Sequence, residues 1–272
     1  MVRLSLREVQ LMQLELMKEV DSVCRKHNIT YYLIAGSCLG AVRHGGFIPW
    51  DDDIDIAMMR SDYNKFASIF NKEFDLHKYF LQNYDSDRQF SPALSRICIK
   101  GTFVDLKSER HLKTCKNTYI DVFPLDNVPD DEKSRKLHKD RLRILDRLIG
   151  LKQYHLYGNT IWERITKSFV SLLLCVLPLR YLQLRRVKEM TRYSSVDTKC
   201  VCSTVSKYGY DRQVMDRKIY GVPARIVFEV IEVNVPEYTS EYLQLLYGNN
   251  YMQIPPKNKR VQPQTVYKLD RV

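Results

Sequence analysis

What this chain lacks narrows the field first. Its 272 residues hold seven cysteines, an odd number, with no CxxC pair and no cysteine–histidine cluster. That excludes a disulfide framework and a zinc site. Cys200 and Cys202 come closest, but a strand would set both on one face with no histidine near. All seven are read as reduced thiols, as in a cytoplasmic compartment. Residues 4–24 are amphipathic and charged throughout, so no secretory leader is expected. No apolar run reaches the roughly 20 residues that cross a bilayer. The most apolar stretch, 169–179, is interrupted by Pro178. There is no internal repeat, and no RNP-type aromatic motif, zinc finger or helix-turn-helix signature, which argues against nucleic acid as a partner.

What is present begins with a sizeable core and an uneven charge. Hydrophobic residues make up 44% of the chain, enough for one large domain or two small ones. The formal charge is +11. Between Arg135 and Arg192 stand fourteen Lys and Arg against four Asp and Glu, so nearly all the excess lies mid-chain. Such a segment is either a solvated helical surface or a face for polyanions, an anionic membrane leaflet among them.

Local patterns set the expected elements. Ser5 and Glu8 have capping-box spacing, and Val9, Met12, Leu16, Val20 and Val23 recur at helical intervals, predicting a first helix that ends near His27. Residues 31–35 read as a buried strand, Gly36 and Ser37 as its exit turn, and 37–44 as a short helix whose first amides suit phosphate oxygens. After the Gly45-Gly46 break, 53–57 read as a strand, and Ser61 as the cap of a helix burying Tyr63, Phe66, Ala67 and Phe70. Residues 96–104 read as a strand or hairpin, and 119–123 as a strand ended by Pro124. From 130 to 192 the chain reads as mostly helical. Within it, 169–179 reads as a buried core helix, or else as an interfacial helix whose Arg180, Arg185, Arg186 and Lys188 meet lipid headgroups. A helix at 237–247 and a basic tail after Pro255-Pro256 close the chain.

The most informative stretch is 33–56, LIAGSCLGAVRHGGFIPWDDDIDI. Two residues apart on a strand, Asp53 and Asp55 point the same way, while Ile54 and Ile56 face the core. Paired carboxylates repel unless a cation sits between them. Hard oxygen ligands suit Mg²⁺ or Mn²⁺, whose usual client is a phosphate ester. Asp121 stands among apolar neighbours and needs a reason: it pairs with Arg96 or Lys100, or it is a third carboxylate of the same site. Asp51 reads as a solvated loop acid, and Asp52 as facing away from Asp53. Gly36 permits close backbone approach and Ser37 can donate to a phosphate oxygen. Arg43 either clamps a diphosphate or bridges Asp51 or Asp52. Arg96 and Lys100, four apart on a strand, share a face that can meet donor phosphate. His44 is left unassigned.

An apolar strand, a Gly-Ser turn, an acid-x-acid strand and a later acid together form the pattern of the nucleotidyltransferase fold. The wording of residues 36–56 is more specific and closely resembles the signature of the LicD/fukutin family. Tyr119-Ile-Asp-Val-Phe-Pro-Leu-Asp126 resembles that family's later acidic strand, and the stretch from Tyr247 to Pro256 its C-terminal Tyr-Gly…Pro-Pro segment. The resemblance implies an α+β fold: a nucleotidyltransferase-like mixed sheet with flanking helices and a basic helical insertion. Residues 1–130 would form the catalytic core, 131–192 the basic segment packed on or near it, and 193–272 a mixed segment completing the domain. It also implies a phosphotransferase that moves a phosphorylated alcohol, such as phosphocholine or ribitol phosphate, from a CDP-linked donor to a hydroxyl of a cell-surface glycan or lipid-linked saccharide. Asp53, Asp55 and Asp121 would hold Mg²⁺ or Mn²⁺, Asp121 would be a candidate proton acceptor, and Trp50 would stack on cytosine or simply pack. The expected place of work is the cytoplasm, with peripheral contact at the inner membrane face. One departure stands out: where a histidine is common after Pro-Pro-x-x-x-Arg, Val261-Gln-Pro-Gln264 follows Arg260 here. Two rivals remain, an NTP-dependent nucleotidyltransferase releasing pyrophosphate and a non-enzymatic protein binding polyanions or membrane.

Overall fold

A computed structural model describes residues 1–105, 110–153, 161–163, 165, 177–260 and 263–269. The elements run β1 (Val2–Arg3), α1 (Leu6–Lys26), β2 (Tyr32–Leu33), α2 (Ala35–His44), β3 (Asp55–Met59), α3 (Arg60–Glu73), β4 (Tyr79–Gln82), β5 (Ser95–Ile99), β6 (Thr102–Val104) and β7 (Thr118–Val128). There follow α4 (Glu132–Gln153), α5 (Leu179–Met190), β8 (Cys200–Cys202), β9 (Val214–Asp216), β10 (Ala224–Phe228), β11 (Ile231–Val235), α6 (Thr239–Tyr247) and β12 (Val266–Lys268). The fold is α+β, with a mixed sheet and packed helices.

Helix α1 starts where the sequence places it, because the capping box closes in both directions between Ser5 and Glu8. It ends at a His27 cap. Its inner stripe of Leu16, Met17 and Val20 is fully buried. Helix α2 begins at Ala35, two residues before the expected start, so Gly36 and Ser37 lie in its first turn rather than in a loop. Strand β3 likewise begins at Asp55, leaving Asp53 just ahead of the ladder, although the Asp121 amide donates to the Ile54 carbonyl (3.0 Å). The cap of α3 is Met59, with no side-chain hydrogen bond, and Ser61 sits inside the helix.

Strand β7 runs through the middle of the principal sheet, ordered β2-β3-β7-β5-β4, with β8 beside β7 and β9 beside β8. It pairs with β3 in parallel and with β5 antiparallel. Pro124 does not end it. The β5 ladder stops at Val122 and the β8 ladder starts at Asp126, so the missing N–H falls in the gap between them. Residues 95–104 do not fold back as a hairpin: Gly101 (φ 79°) turns the chain away, and β6 pairs with β12 in a second sheet, β1-β12-β6. Segments from beyond residue 193 therefore complete sheets begun by the first half.

Helices α4 and α5 pack on one another and carry the basic segment. The apolar run 169–179 lies outside the described residues up to 176. Among the described residues, no helix is long and apolar enough to cross a membrane. Among them too, six cysteines are free, and Cys200 and Cys202 stand on β8.

A buried ion pair ties the helical layer to the sheet. Arg60, at the start of α3, donates twice to the fully buried Asp126 carboxylate on β7 (2.6 Å each). Removing the arginine strands a charge in the core, so Arg60→Ala should lower stability by about 3–5 kcal/mol. A urea-unfolding midpoint that implies a loss under ~1 kcal/mol would contradict that role.

Candidate active site

The acids meet where β3 and β7 run side by side. Asp55 and Asp121 are direct partners in that parallel register, and Asp53 stands two residues ahead on the same strand line. A cleft of about 440 Å³ opens over this edge, lined by Asp51, Asp52, Asp53 and Asp55, by Gly36, Arg43 and Trp50, and by Lys207, Tyr208 and Tyr247. Four carboxyl groups thus share one half-enclosed space. Burial, then the charges of Asp53 and Asp52, push the Asp51 carboxyl up to about 7. Burial, followed by Asp53 and Asp121, holds Asp55 well above the carboxylate range, and burial raises Asp53 as well. Lys207 opposes these shifts in Asp51, Asp53 and Asp55. Its own ammonium is raised, through Tyr208 and the same acids, against the pull of burial.

Local structure explains why so much charge stays in place. Two buried glutamines of α1 grip the acid loop from behind: Gln10 donates to the Asp51 carbonyl (2.8 Å), and Gln13 to those of Asp52 and Tyr119 (2.9 Å each). Ser37 accepts from the Asp55 amide (2.8 Å), so its oxygen fixes the start of β3 from a buried position behind the cleft. A side chain at position 36 would place its Cβ 2.8 Å from an Asp51 carboxyl oxygen, which is why glycine stands there. Ala35 enters α2 at φ 48°, a left-handed conformation, and its amide donates to the Tyr242 hydroxyl (2.9 Å).

The C-terminal segment is laced over the acid motif. Arg43 donates to the carbonyls of Tyr251 (3.0 Å) and Gln253 (3.2 Å), Arg260 lies over the Trp50 ring (4.1 Å), and the Gln264 amide donates to Asp52 (2.9 Å). Tyr208 and Tyr247 join hydroxyls (2.8 Å) along the cleft wall.

Several expectations change accordingly. Of the residues named from sequence, Asp53, Asp55, Gly36 and Arg43 line the cleft, whereas Ser37, Asp121, Arg96 and Lys100 are not in its lining. Asp121 accepts from Arg96 (2.9 Å), and the guanidinium also lies over the Tyr119 ring (4.0 Å); Arg96 therefore braces an acid rather than reaching out to phosphate. Lys100 sits in the turn after β5 and donates to the Leu76 carbonyl (2.7 Å), away from the acids. Arg43 holds the C-terminal loop rather than Asp51 or Asp52. Trp50 is met by Arg260 over its ring and by His44 in a T-shaped contact. Asp51, read as solvated, belongs to the cluster, and Asp52 lines the same cleft. Lys207 and Tyr208, more than 150 residues from Asp55 and without a local motif, were not among the site residues named, and Tyr247 stood only as the first residue of the Tyr-Gly…Pro-Pro stretch. Gln10 and Gln13 had a signal: they are polar residues one turn apart at the border of the apolar stripe.

The set of groups fits a hard cation, since four carboxyl groups, those of Asp51, Asp52, Asp53 and Asp55, line one cleft and burial raises each of them. Among the described residues, no three carboxyl, imidazole or thiol groups converge closely enough as they stand to enclose a metal ion. An Asp121–metal bond would also compete with the Arg96 ion pair.

The sign of the pH effect follows. An acid whose folded pKa is raised stabilises the fold below its unfolded pKa, near 4, and that contribution is lost as pH rises through the folded value, here about 7 for Asp51. In chelator-treated protein at pH 8, Asp51→Asn should raise stability by roughly 1–3 kcal/mol, with the gain vanishing by pH 4. Thermal melts of both proteins across that range check it; a pH-independent difference would contradict it.

Comparison with known proteins completes the picture. Residues 28–143 match the family model described as LicD/FKTN/FKRP, nucleotidyltransferase domain. Over 262 residues the chain is 28% identical to the lipopolysaccharide cholinephosphotransferase LicD of Haemophilus influenzae, covering 94% of this chain and 95% of that protein. An uncharacterised protein of Rickettsia prowazekii is 50% identical over 109 residues, 40% of this chain and 31% of its own length. The human ribitol 5-phosphate transferase FKRP is 42% identical over 48 residues, 18% of this chain and 10% of that protein. The chain is thus homologous to a transferase over nearly its whole length, and its residues 28–143 match the LicD/FKTN/FKRP family domain.

Proposed function

We propose that the protein is a metal-dependent phosphotransferase. It would move a phosphorylated alcohol from a CDP-alcohol to a hydroxyl of a cell-surface glycan or lipid-linked saccharide, working at the cytoplasmic side. The observation that carries this reading is the concentration of Asp51, Asp53 and Asp55, each raised first by burial, in one cleft where Lys207 opposes the shift of each. Near-full-length similarity to a cholinephosphotransferase supports the same chemistry. The acid-bearing β3–β7 pair supports a nucleotidyltransferase-like core, which the segment after residue 193 completes.

Asp53 and Asp55, with Asp51 beside them, would hold Mg²⁺ or Mn²⁺; bound there, the ion would neutralise charge on the phosphoryl group under attack and on the departing CMP. The chain's own residues position the rest. Lys207 lies across from the acids and supplies a positive charge to the phosphate oxygens. Gly36 leaves space for the Asp51 carboxyl at the cleft floor. The joined hydroxyls of Tyr208 and Tyr247 form a wall against which a donor can lie. The acceptor oxygen forms a bond to the distal phosphorus as the bond to CMP breaks, and the proton of the acceptor hydroxyl passes to a cleft carboxylate or to water. Asp121, the sequence candidate for that proton, already accepts from Arg96.

Transfer assayed by CMP release from CDP-choline or CDP-ribitol, with a glycan acceptor and Mn²⁺, tests the assignment. Asp53→Asn and Asp55→Asn should each lower turnover more than about a hundredfold. Their circular dichroism should match the parent, since each removes one of several repelling charges. Lys207→Met should raise KM for the donor roughly tenfold. Unchanged turnover in both aspartate variants would remove the metal site.

A further inference from the structure

Helices α4 and α5 are bound to each other antiparallel: His138 meets the Glu189 carbonyl (3.0 Å), Arg141 faces Glu189 (3.6 Å), and Asp146 pairs with Arg186. Both bury one side, through Leu142 and Ile149 on α4 and Leu182 and Met190 on α5. Their outer stripes therefore turn the same way. On α4 that stripe carries exposed Lys133, Lys136, Arg143 and Arg147 at intervals of one or two turns, with exposed Leu137 and Ile144 between them. On α5 it carries Arg185 and Lys188 with exposed Tyr181 and Leu184. In the stretch that joins the helices, Trp162 is 75% exposed, flanked by exposed Ile161 and Ile165. Two acids border the outer α4 stripe, exposed Glu132 and half-buried Asp140; Asp146 is already taken by Arg186.

We infer that this face docks the enzyme on an anionic phospholipid bilayer. Cations alone would suit any polyanion, but large apolar side chains alternating with them do not. Leucine, isoleucine and tryptophan left in water gain by entering the headgroup boundary, while lysine and arginine stay with the phosphates, the arrangement of an interfacial helix. Each lysine or arginine near such a surface adds to the attraction. The helix pair that bears this face also anchors a cleft segment from its inner side. Tyr210 holds His138 of α4 (2.7 Å), Lys139 pairs with Asp211, and Arg186 reaches the Thr204 carbonyl (3.4 Å). The segment so held carries Lys207 and Tyr208, which line the acid cleft. Resting here on the proposed function, the inference brings the enzyme to the surface that carries a lipid-linked acceptor.

The full chain is floated with phosphatidylcholine vesicles, with and without equimolar phosphatidylglycerol, in 0.15 M NaCl. The wild type should float with the anionic vesicles and not with the neutral ones. Two variants of exposed residues keep the test sharp. Lys136→Glu, Arg143→Glu, Arg185→Glu and Lys188→Glu together should cut binding more than tenfold. Leu137→Ser, Ile144→Ser, Tyr181→Ser and Leu184→Ser together should cut it by a similar factor. CMP release with a water-soluble acceptor should be unchanged in both, which separates this inference from the assignment of the reaction. No flotation of the wild type, or equal flotation of the serine variant, overturns it. So does tight binding of single-stranded RNA that the serine variant keeps in full.

Discussion

Carboxylates crowded at one edge of a parallel strand pair repel, and the architecture around them is built to hold them there. Asp55 and Asp121 stand side by side because β3 and β7 pair in register, and the chain ahead of β3 adds Asp53, Asp52 and Asp51 to the same small space. Left alone, that stretch would splay or take up protons. It is pinned by groups that bond to backbone rather than to the carboxyls: Gln10 and Gln13 from α1, and Ser37 from α2. The acids keep their carboxyl oxygens turned to the cleft while their main chain is fixed. A site that stores repulsion in this way gains most when a cation and the phosphates it carries arrive together.

The same constraint orders the second half of the protein. The described residues between Tyr247 and Gln264 are tied to Arg43, Trp50 and Asp52, each part of the acid motif or of the helix before it. In turn they close one wall of the cleft. The segment at Lys207 enters from the other side, anchored on the basic helix pair. Cleft, C-terminal lacing and helix pair are therefore mechanically linked, although the sequence separates them by up to two hundred residues.

How far the sequence could be read follows from the range of the forces involved. The α1 capping box is a local event, and it was legible. So were the Asp53/Asp55 spacing and the later acid, because a two-residue period needs no tertiary information. Boundaries slipped where long-range bonds decide them: α2 starts early because Tyr242 takes the Ala35 amide, and β7 passes Pro124 because neighbouring ladders leave a gap there. The partners of the arginines depend on the same long-range packing. From sequence, Arg43 and Arg96 are candidates for phosphate; in the fold they donate to protein partners, two backbone carbonyls and Asp121. Lys207, a cation that lines the cleft with the acids, lies in a Ser-Lys-Tyr stretch that carries no motif. Asp51 looked solvated because burial of a loop residue depends on segments that arrive later in the chain.

The measurement that bears most directly on this account is calorimetric titration of the metal-free protein with CDP-choline, CDP-ribitol and CTP, each with and without Mn²⁺. If the crowded carboxyls are the seat of a metal-assisted phosphotransferase, one CDP-alcohol binds in preference to CTP, only with the metal present, and Asp53→Asn abolishes that binding. Binding of CTP more tightly than either CDP-alcohol, or binding indifferent to Mn²⁺, would contradict it.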